Sequence, residues 1–152
     1  MGLSAEQAAP MEAIYPKAVI LHRVIAKLID FLLIAALREL LVPVGFYVGV
    51  TYLLIADGLF NGQSIGKRLV GLRTYLPHKK KEASFRESII RNIPLLVAYL
   101  FSFIPFVGWI LFGVVIGFEL LLMIGNEKGL RIGDEMARTQ VVDSESFEVR
   151  HL

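Results

Sequence analysis

Residues 18–42 read AVILHRVIAKLIDFLLIAALRELLV, and residues 43–60 continue as PVGFYVGVTYLLIADGLF. Each run is close to the roughly 20 residues that an α-helix needs to cross about 30 Å of hydrocarbon. Pro43 and Gly45 mark a turn between the two runs. We therefore predict a helical hairpin with membrane spans at about 18–41 and 43–60.

A second apolar region covers residues 93–125, where Glu119 is the only charged residue. As one helix it would be roughly 50 Å long, which a bilayer accommodates only with extreme tilt. Pro105 lies near the centre of this region. We expect two spans, at about 89–104 and 106–124, with one kinked span as the alternative.

The distribution of positive charge gives an independent criterion for the topology. Four spans with both termini inside leave Arg38 as the only outer residue among the 16 Lys and Arg residues. Three spans would instead place four further basic residues outside, namely Lys128, Arg131, Arg138 and Arg150. Because cytoplasmic segments carry the excess of Lys and Arg, the distribution favours four spans.

The composition agrees with a membrane protein. Of the residues, 55% are apolar and 20% are charged, against about 45–50% and about 25% in soluble domains. We predict an all-α membrane protein, a four-helix transmembrane bundle with both termini cytoplasmic. An N-terminal tail at 1–17 and a C-terminal tail at 126–152 would flank a membrane domain at 18–125, which includes a basic cytoplasmic loop at 61–88.

A glycine-containing basic segment, NGQSIGKRLVGLR, follows the second predicted span at residues 61–73. A phosphate-binding P-loop requires G-x-x-x-x-G-K-[ST], whereas here three residues separate the glycines and Arg68 follows Lys67. We therefore expect no nucleotide site. We interpret the segment as a membrane-surface motif against anionic lipid headgroups, formed by Gly62, Gln63, Gly66, Lys67, Arg68 and Arg73.

Several function classes lack their usual residues. The chain has no cysteine and three dispersed histidines, so the sequence offers no thiolate or histidine metal site. No nucleophile and base occur in a recognisable motif, and the basic segment PHKKKEASFRES at 77–88 lacks interleaved aromatic residues. We expect neither an enzyme nor a cofactor, metal or nucleic-acid partner.

Four segments carry a resemblance to a known family: RVIAKLID at 23–30, GQSIGKRLVGLR at 62–73, SFRESIIRNI at 84–93 and GDEMARTQVV at 133–142. Together they resemble the RDD family of small bacterial membrane proteins, named for one arginine and two aspartates. The resemblance implies a multi-pass helical domain in the bacterial cytoplasmic (inner) membrane. It implies no established reaction, although transport, including sodium–proton antiport, has been suggested for some members.

Carried over by resemblance, the family arginine is Arg23 and the first aspartate is Asp30. The second aspartate falls on Asp134, with Asp57 as the alternative. Around Asp134 the family ending resembles His-Asp-x-x-Ala-Gly-Thr-x-Val-Val, whereas this chain has Gly133 for the histidine and Arg138 for the glycine.

Charged residues within the predicted spans are candidates for a site. Arg23, Lys27 and Asp30 lie on one stripe of a helix, and an ionised group near the membrane centre costs about 2.5–3.5 kcal/mol, so it usually has a partner. One interpretation is a structural ion pair between Lys27 and Asp30, and the other is a cation or proton site. We expect Arg23, Asp30 and Asp134 to form a charge cluster near the cytoplasmic boundary. The full candidate set is Arg23, Lys27, Asp30, Asp57, Glu119 and Asp134, with Asp57 expected to reach the inner interface.

Two functions follow from these features. The first is a small transporter or ion-handling protein, oligomeric because four short helices rarely enclose a complete pathway. The second is a non-transporting membrane scaffold that binds a partner through its basic cytoplasmic loops. The partners expected from sequence are the lipid bilayer and a second copy of the chain. Gly113-x-x-x-Gly117 is a close-packing pattern that most commonly serves helix contacts within one chain, with a homodimer contact as the alternative.

Overall fold

The computed structural model describes residues 18–145. This part of the chain is mostly helical. In chain order its elements are α1 (Ile20–Leu40), α2 (Gly45–Ile55), α3 (Ile65–Val70), β1 (Leu72–Leu76), β2 (Lys81–Glu82), α4 (Phe85–Phe101), α5 (Val107–Gly125), α6 (Ile132–Met136) and β3 (Gln140–Asp143).

Four long or apolar helices lie where the sequence predicts spans. α1 and α2 form the hairpin, with a single 3-10 turn over Ala56–Gly58 after α2. α4 and α5 are separate helices on either side of Pro105, so the apolar region at 93–125 is not one helix. Pro cannot donate a backbone hydrogen bond, and its ring disfavours helix continuation, which explains the break.

α1 has a mixed polar and apolar buried face. Its buried side chains are Arg23, Ala26, Asp30 and Ile34, which recur at the three- and four-residue spacing of a single helix face. Large apolar residues such as Leu32, which is 70% exposed, cover the opposite face. This arrangement, with polar groups inside and apolar groups outside, is typical of a helix that faces lipid.

One described helix is long and apolar enough to cross a membrane by itself. It is α5, with a mean hydropathy of 2.4 over its apolar window. A shorter apolar stretch covers Gly45–Gly58. α1 and α4 contain more charged residues than α5, and some of these residues belong to the buried polar cluster described below.

The two regions predicted as loop and tail contain regular structure. β1 pairs antiparallel with both β2 and β3, in the strand order β2-β1-β3. The register places Tyr75 opposite Gln140 and Leu72 opposite Asp143. The fold is therefore helical with a small sheet rather than purely helical, and the sheet joins the segment after α2 to the segment after α6.

α3 lies unusually close to α1 because of Gly66. A Cβ atom at this position would come within 1.9 Å of the carbonyl oxygen of Ala26 and 3.0 Å of a carboxylate oxygen of Asp30. Glycine is the residue that permits this backbone approach. The short α3 helix is thus held against the middle of α1.

We expect Gly66→Ala to destabilise the protein by about 1–3 kcal/mol, because the added methyl group has to displace backbone. The free energy of unfolding in mixed micelles would measure the loss. Gly125→Ala at the end of α5 is the matched control, since a Cβ atom there meets no atom within 4 Å. Equal stability of the two variants would contradict the close contact between α3 and α1.

Candidate functional site

Asp134 on α6 is the most highly paired carboxylate in the described residues. Its side chain is fully buried and lies 2.5 Å from Nη2 of Arg23 and 2.6 Å from Nη2 of Arg91. Nε of Arg131 donates a third hydrogen bond at 3.2 Å. One buried carboxylate therefore pairs with three guanidinium groups, which belong to α1, α4 and the residue before α6.

Asp57, in the 3-10 turn after α2, forms a second centre. Nζ of Lys67 lies 2.6 Å from one of its carboxylate oxygens, and Nε of Arg91 lies 3.3 Å from the other. Thr74 on β1 links the two cations, because its hydroxyl accepts from Nζ of Lys67 at 2.8 Å and from Nη1 of Arg91 at 2.6 Å. Arg91 therefore connects Asp57 with Asp134.

A third group surrounds Glu119 on α5. Nη1 of Arg131 lies 3.3 Å from Oε2 of Glu119, whereas Oε1 is buried with no hydrogen-bond partner. Nη2 of Arg131 and Nζ of Lys27 both donate to Oδ1 of Asn92, each at 3.4 Å. The cluster thereby extends from α6 to the facing sides of α1, α4 and α5.

Asp30 is bound by neutral donors. Its carboxylate accepts from the hydroxyl of Tyr52 at 2.7 Å, the hydroxyl of Ser64 at 2.6 Å and the backbone N–H of Gly66 at 2.9 Å. The Ser64 hydroxyl in turn accepts from the backbone N–H of Lys67 and caps α3. Asp30 therefore anchors the start of α3 to α1.

The pKa values outside the predicted spans reflect this pairing. Burial alone would raise the pKa of Asp134, but the positive charges of Arg91, Arg131 and Arg23 hold it well below its usual range. Burial lowers the pKa of Arg131, yet the carboxylates of Asp134 and Glu119 outweigh burial and raise it. Both groups are accordingly ionised at neutral pH.

The structure places most of the candidate residues close together, but several of them pair with other residues than the sequence led us to expect. Arg23 pairs with Asp134 rather than with Asp30, so the expected cluster of three is divided between two places. Lys27 donates to Asn92, so the ion pair between Lys27 and Asp30, one of the two interpretations of this stripe, does not form. Asp57 does not reach the interface, because two cations hold it in the interior.

The segment interpreted as a membrane-surface motif is partly internal. Gly62, Gln63, Gly66 and Lys67 are buried, whereas Arg68 is exposed and stacks over Phe60 at 4.9 Å. Arg73 pairs with Glu82 across the sheet. The burial follows from the local fold, in which α3 turns back against α1 and directs Lys67 towards Asp57.

Sequence reasoning missed four contributors to the site: Thr74, Arg91, Asn92 and Arg131. Arg91 and Asn92 were visible as adjacent polar residues beside an otherwise apolar span. Arg131 lies three residues before Asp134, the spacing of contacting side chains on a helix. Thr74 gave no signal, because its role depends on where β1 lies.

A cavity of about 470 Å³ adjoins the cluster between α1, α4 and α5. Five cationic side chains contribute to its wall, namely Arg23, Lys27, Lys67, Arg91 and Arg131. Glu119 is the single carboxylate in the same wall. Within residues 18–145, no group of three or more metal-ligating side chains is present.

Comparison with known protein families gives a match. The family model described as RDD family matches residues 37–138, about two thirds of the chain. Arg23, Lys27 and Asp30 precede the matched range. No curated protein and no solved structure matches the chain.

We expect Asp134→Asn to destabilise the protein by roughly 3–5 kcal/mol, because Arg23 then stays buried without its carboxylate partner. Arg23→Gln should cost less, since Asp134 keeps Arg91 and Arg131. The double variant should lose at least about 1 kcal/mol less than the sum, since the two residues interact directly. Free energies of unfolding of the four proteins in mixed micelles would measure this coupling.

The control cycle combines Arg23→Gln with Asp30→Asn. These two residues bind different partners, so their effects should add within about 0.5 kcal/mol. Strong coupling in the control cycle, or additivity of Arg23 with Asp134, would contradict the arrangement described above.

Proposed function

Because this chain belongs to the RDD family, a family of membrane proteins, we propose that it is a multi-pass protein of the bacterial inner membrane that handles a charged solute. In this proposal α1, α2, α4 and α5 cross the bilayer, with both termini cytoplasmic. The buried charge cluster would be the solute site at the cytoplasmic end of the bundle. The protein would belong to the class of small transporters.

The positions of charged and aromatic residues support this topology. Arg23 near the start of α1, Arg91 near the start of α4 and Glu119 near the end of α5 all contribute to one cluster. Four spans with both termini inside place these three helix ends inside, together with the end of α2, which Asp57 follows. At the opposite end, the guanidinium of Arg38 lies 5.0 Å from the ring of Phe103.

The observation that carries the solute proposal is the cavity beside the cluster. A transporter needs a space in which a solute can reach buried polar groups, and intramembrane charges commonly line such pathways. Five cations and one carboxylate form the charged part of this wall. Asp57 and Asp134, behind this wall, compensate part of the positive charge, so five cations face three carboxylates. The remaining surplus of positive charge favours an anion over sodium.

A cation or proton is the second candidate. Oε1 of Glu119 is buried without a hydrogen-bond partner, and a buried unsatisfied oxygen is an unusual feature that a proton or a cation could satisfy. The guanidinium of Arg131, whose Nη1 lies 3.3 Å from Oε2 of the same carboxylate, repels a cation at this place. We therefore favour an anion over a cation or a proton as the solute.

The alternative function is a scaffold without transport. The exposed basic turn between β1 and β2, which carries His78, Lys79 and Lys80, supports this alternative.

In either case α5 favours a homo-oligomer, because it packs mainly on α4. Gly113 and Gly117 on α5 leave space for a close helix contact.

We expect a multivalent anion to stabilise the purified protein, because a ligand that binds only the folded state raises its stability. At 100 times the dissociation constant, phosphate should raise Tm by roughly 5–10 °C in detergent at constant ionic strength. Replacing sodium with choline should leave Tm unchanged. Thermal unfolding would measure both effects.

Lys27→Gln should abolish the response to phosphate, whereas Lys79→Gln, on the exposed turn, should respond like the wild type. A sodium-dependent shift that Glu119→Gln removes would instead establish the second candidate. No shift with any ion, or an equal shift in Lys27→Gln, would contradict solute handling and leave the scaffold function.

A further inference from the structure

α5 is attached to the rest of the bundle along one side only. Its extensive helix contacts are with α4, and it approaches α1 through the rings of Phe31 and Phe112, whose centroids lie 6.0 Å apart. The cavity of about 470 Å³ occupies the space between α1 and α5. In the proposed topology this cleft lies within the depth of the bilayer.

The cavity is polar at one end and apolar at the other. The charged residues lie towards the cytoplasmic end, whereas Leu95, Tyr99, Phe112 and Ile116 line the remainder. Along α4 the lining extends from Arg91 to Ser102, which corresponds to roughly 16 Å of helix. A ligand that fills the cavity therefore needs a polar head and an apolar chain.

The polar end has unused capacity to bind an anion. An ammonium group has three donors, and Nζ of Lys27 donates one hydrogen bond, to Oδ1 of Asn92 at 3.4 Å. Arg131 donates to the same oxygen at the same distance. Arg131 is already paired with Asp134 and Glu119, whereas Lys27 has this one long hydrogen bond and lies 5.9 Å from the ring of Phe31. The remaining donors of the polar end are therefore those of Lys27, and Lys and Arg are the side chains that bind phosphate most strongly.

We propose that this cavity binds an anionic phospholipid of the surrounding bilayer, with its phosphate near Lys27 and Arg131 and one acyl chain along Leu95, Phe112 and Ile116. The inference rests on the proposed function, since it names the class of anion at the same site. A free inorganic anion would contact the charged end of the cavity but not its apolar wall. A lipid contacts both, and it can enter the cleft directly from the membrane.

Native mass spectrometry of the delipidated protein would test the proposal with two lipids that carry the same acyl chains. Phosphatidylglycerol is anionic, whereas phosphatidylcholine is zwitterionic. We expect phosphatidylglycerol to bind the wild type at least about tenfold more tightly. Inorganic phosphate, added as competitor, should displace it only at far higher concentration, because phosphate lacks the apolar contacts.

Two variants probe the two ends of the cavity. Lys27→Met removes the positive charge and Ile116→Trp fills the apolar part, and each should weaken phosphatidylglycerol binding at least about tenfold. Lys79→Met on the exposed turn and Val114→Trp on the exposed face of α5 are the matched controls. Both controls should bind like the wild type. If Ile116→Trp does not fold, Lys27→Met and its control decide the result.

Three results would overturn the lipid inference. These are equal binding of the two lipids, phosphatidylglycerol binding that Lys27→Met leaves unchanged, and displacement by phosphate at concentrations similar to those of the lipid. In the third case a small anion occupies the site, so the proposed function stands without the lipid. If neither phosphate nor phosphatidylglycerol stabilises the protein, the proposed function fails as well.

Discussion

The buried guanidinium of Arg91 is the contact on which the arrangement of the described residues depends. From α4 it reaches Asp57 after α2, Thr74 on β1 and Asp134 on α6, with no exposure to solvent. Burying a charge costs several kcal/mol unless partners compensate it. The three partners come from separate segments, so Arg91 is compensated only when these segments have assembled. Local helices alone would leave it unpaired.

Two glycines allow the partners to come close enough. Gly66 brings α3 against α1, which directs Lys67 towards Asp57. Gly133 does the same for α6, because a Cβ atom there would lie 1.9 Å from the carbonyl oxygen of Arg91. The histidine expected at this position by family resemblance would therefore not fit this packing, and the next residue, Asp134, supplies the charge that pairs with α4.

The sequence predicted local features and missed those that depend on distant segments. Hydropathy located the helices α1, α2, α4 and α5, and the resemblance to the RDD family is confirmed by the family match. The sheet was missed because β1 and β3 lie far apart in the chain and neither strand shows alternation over a sufficient length. The burial of Lys67 was missed because charge on a short glycine-containing segment is usually solvated. Arg138 has a positive φ of 53°, where glycine is favoured, and the family pattern has glycine at this position.

The central claim is that the guanidinium group of Arg91, with its three separate nitrogens, joins Asp57 to Asp134, and that a positive charge alone would not. Nε, Nη1 and Nη2 of Arg91 contact Asp57, Thr74 and Asp134 from three different positions. A lysine carries the same charge on a single nitrogen, which cannot occupy all three positions. The direct test is the free energy of unfolding of Arg91→Lys compared with Arg91→Met. The account predicts that Arg91→Lys loses roughly 3–5 kcal/mol, nearly as much as Arg91→Met. Wild-type stability of Arg91→Lys would contradict it.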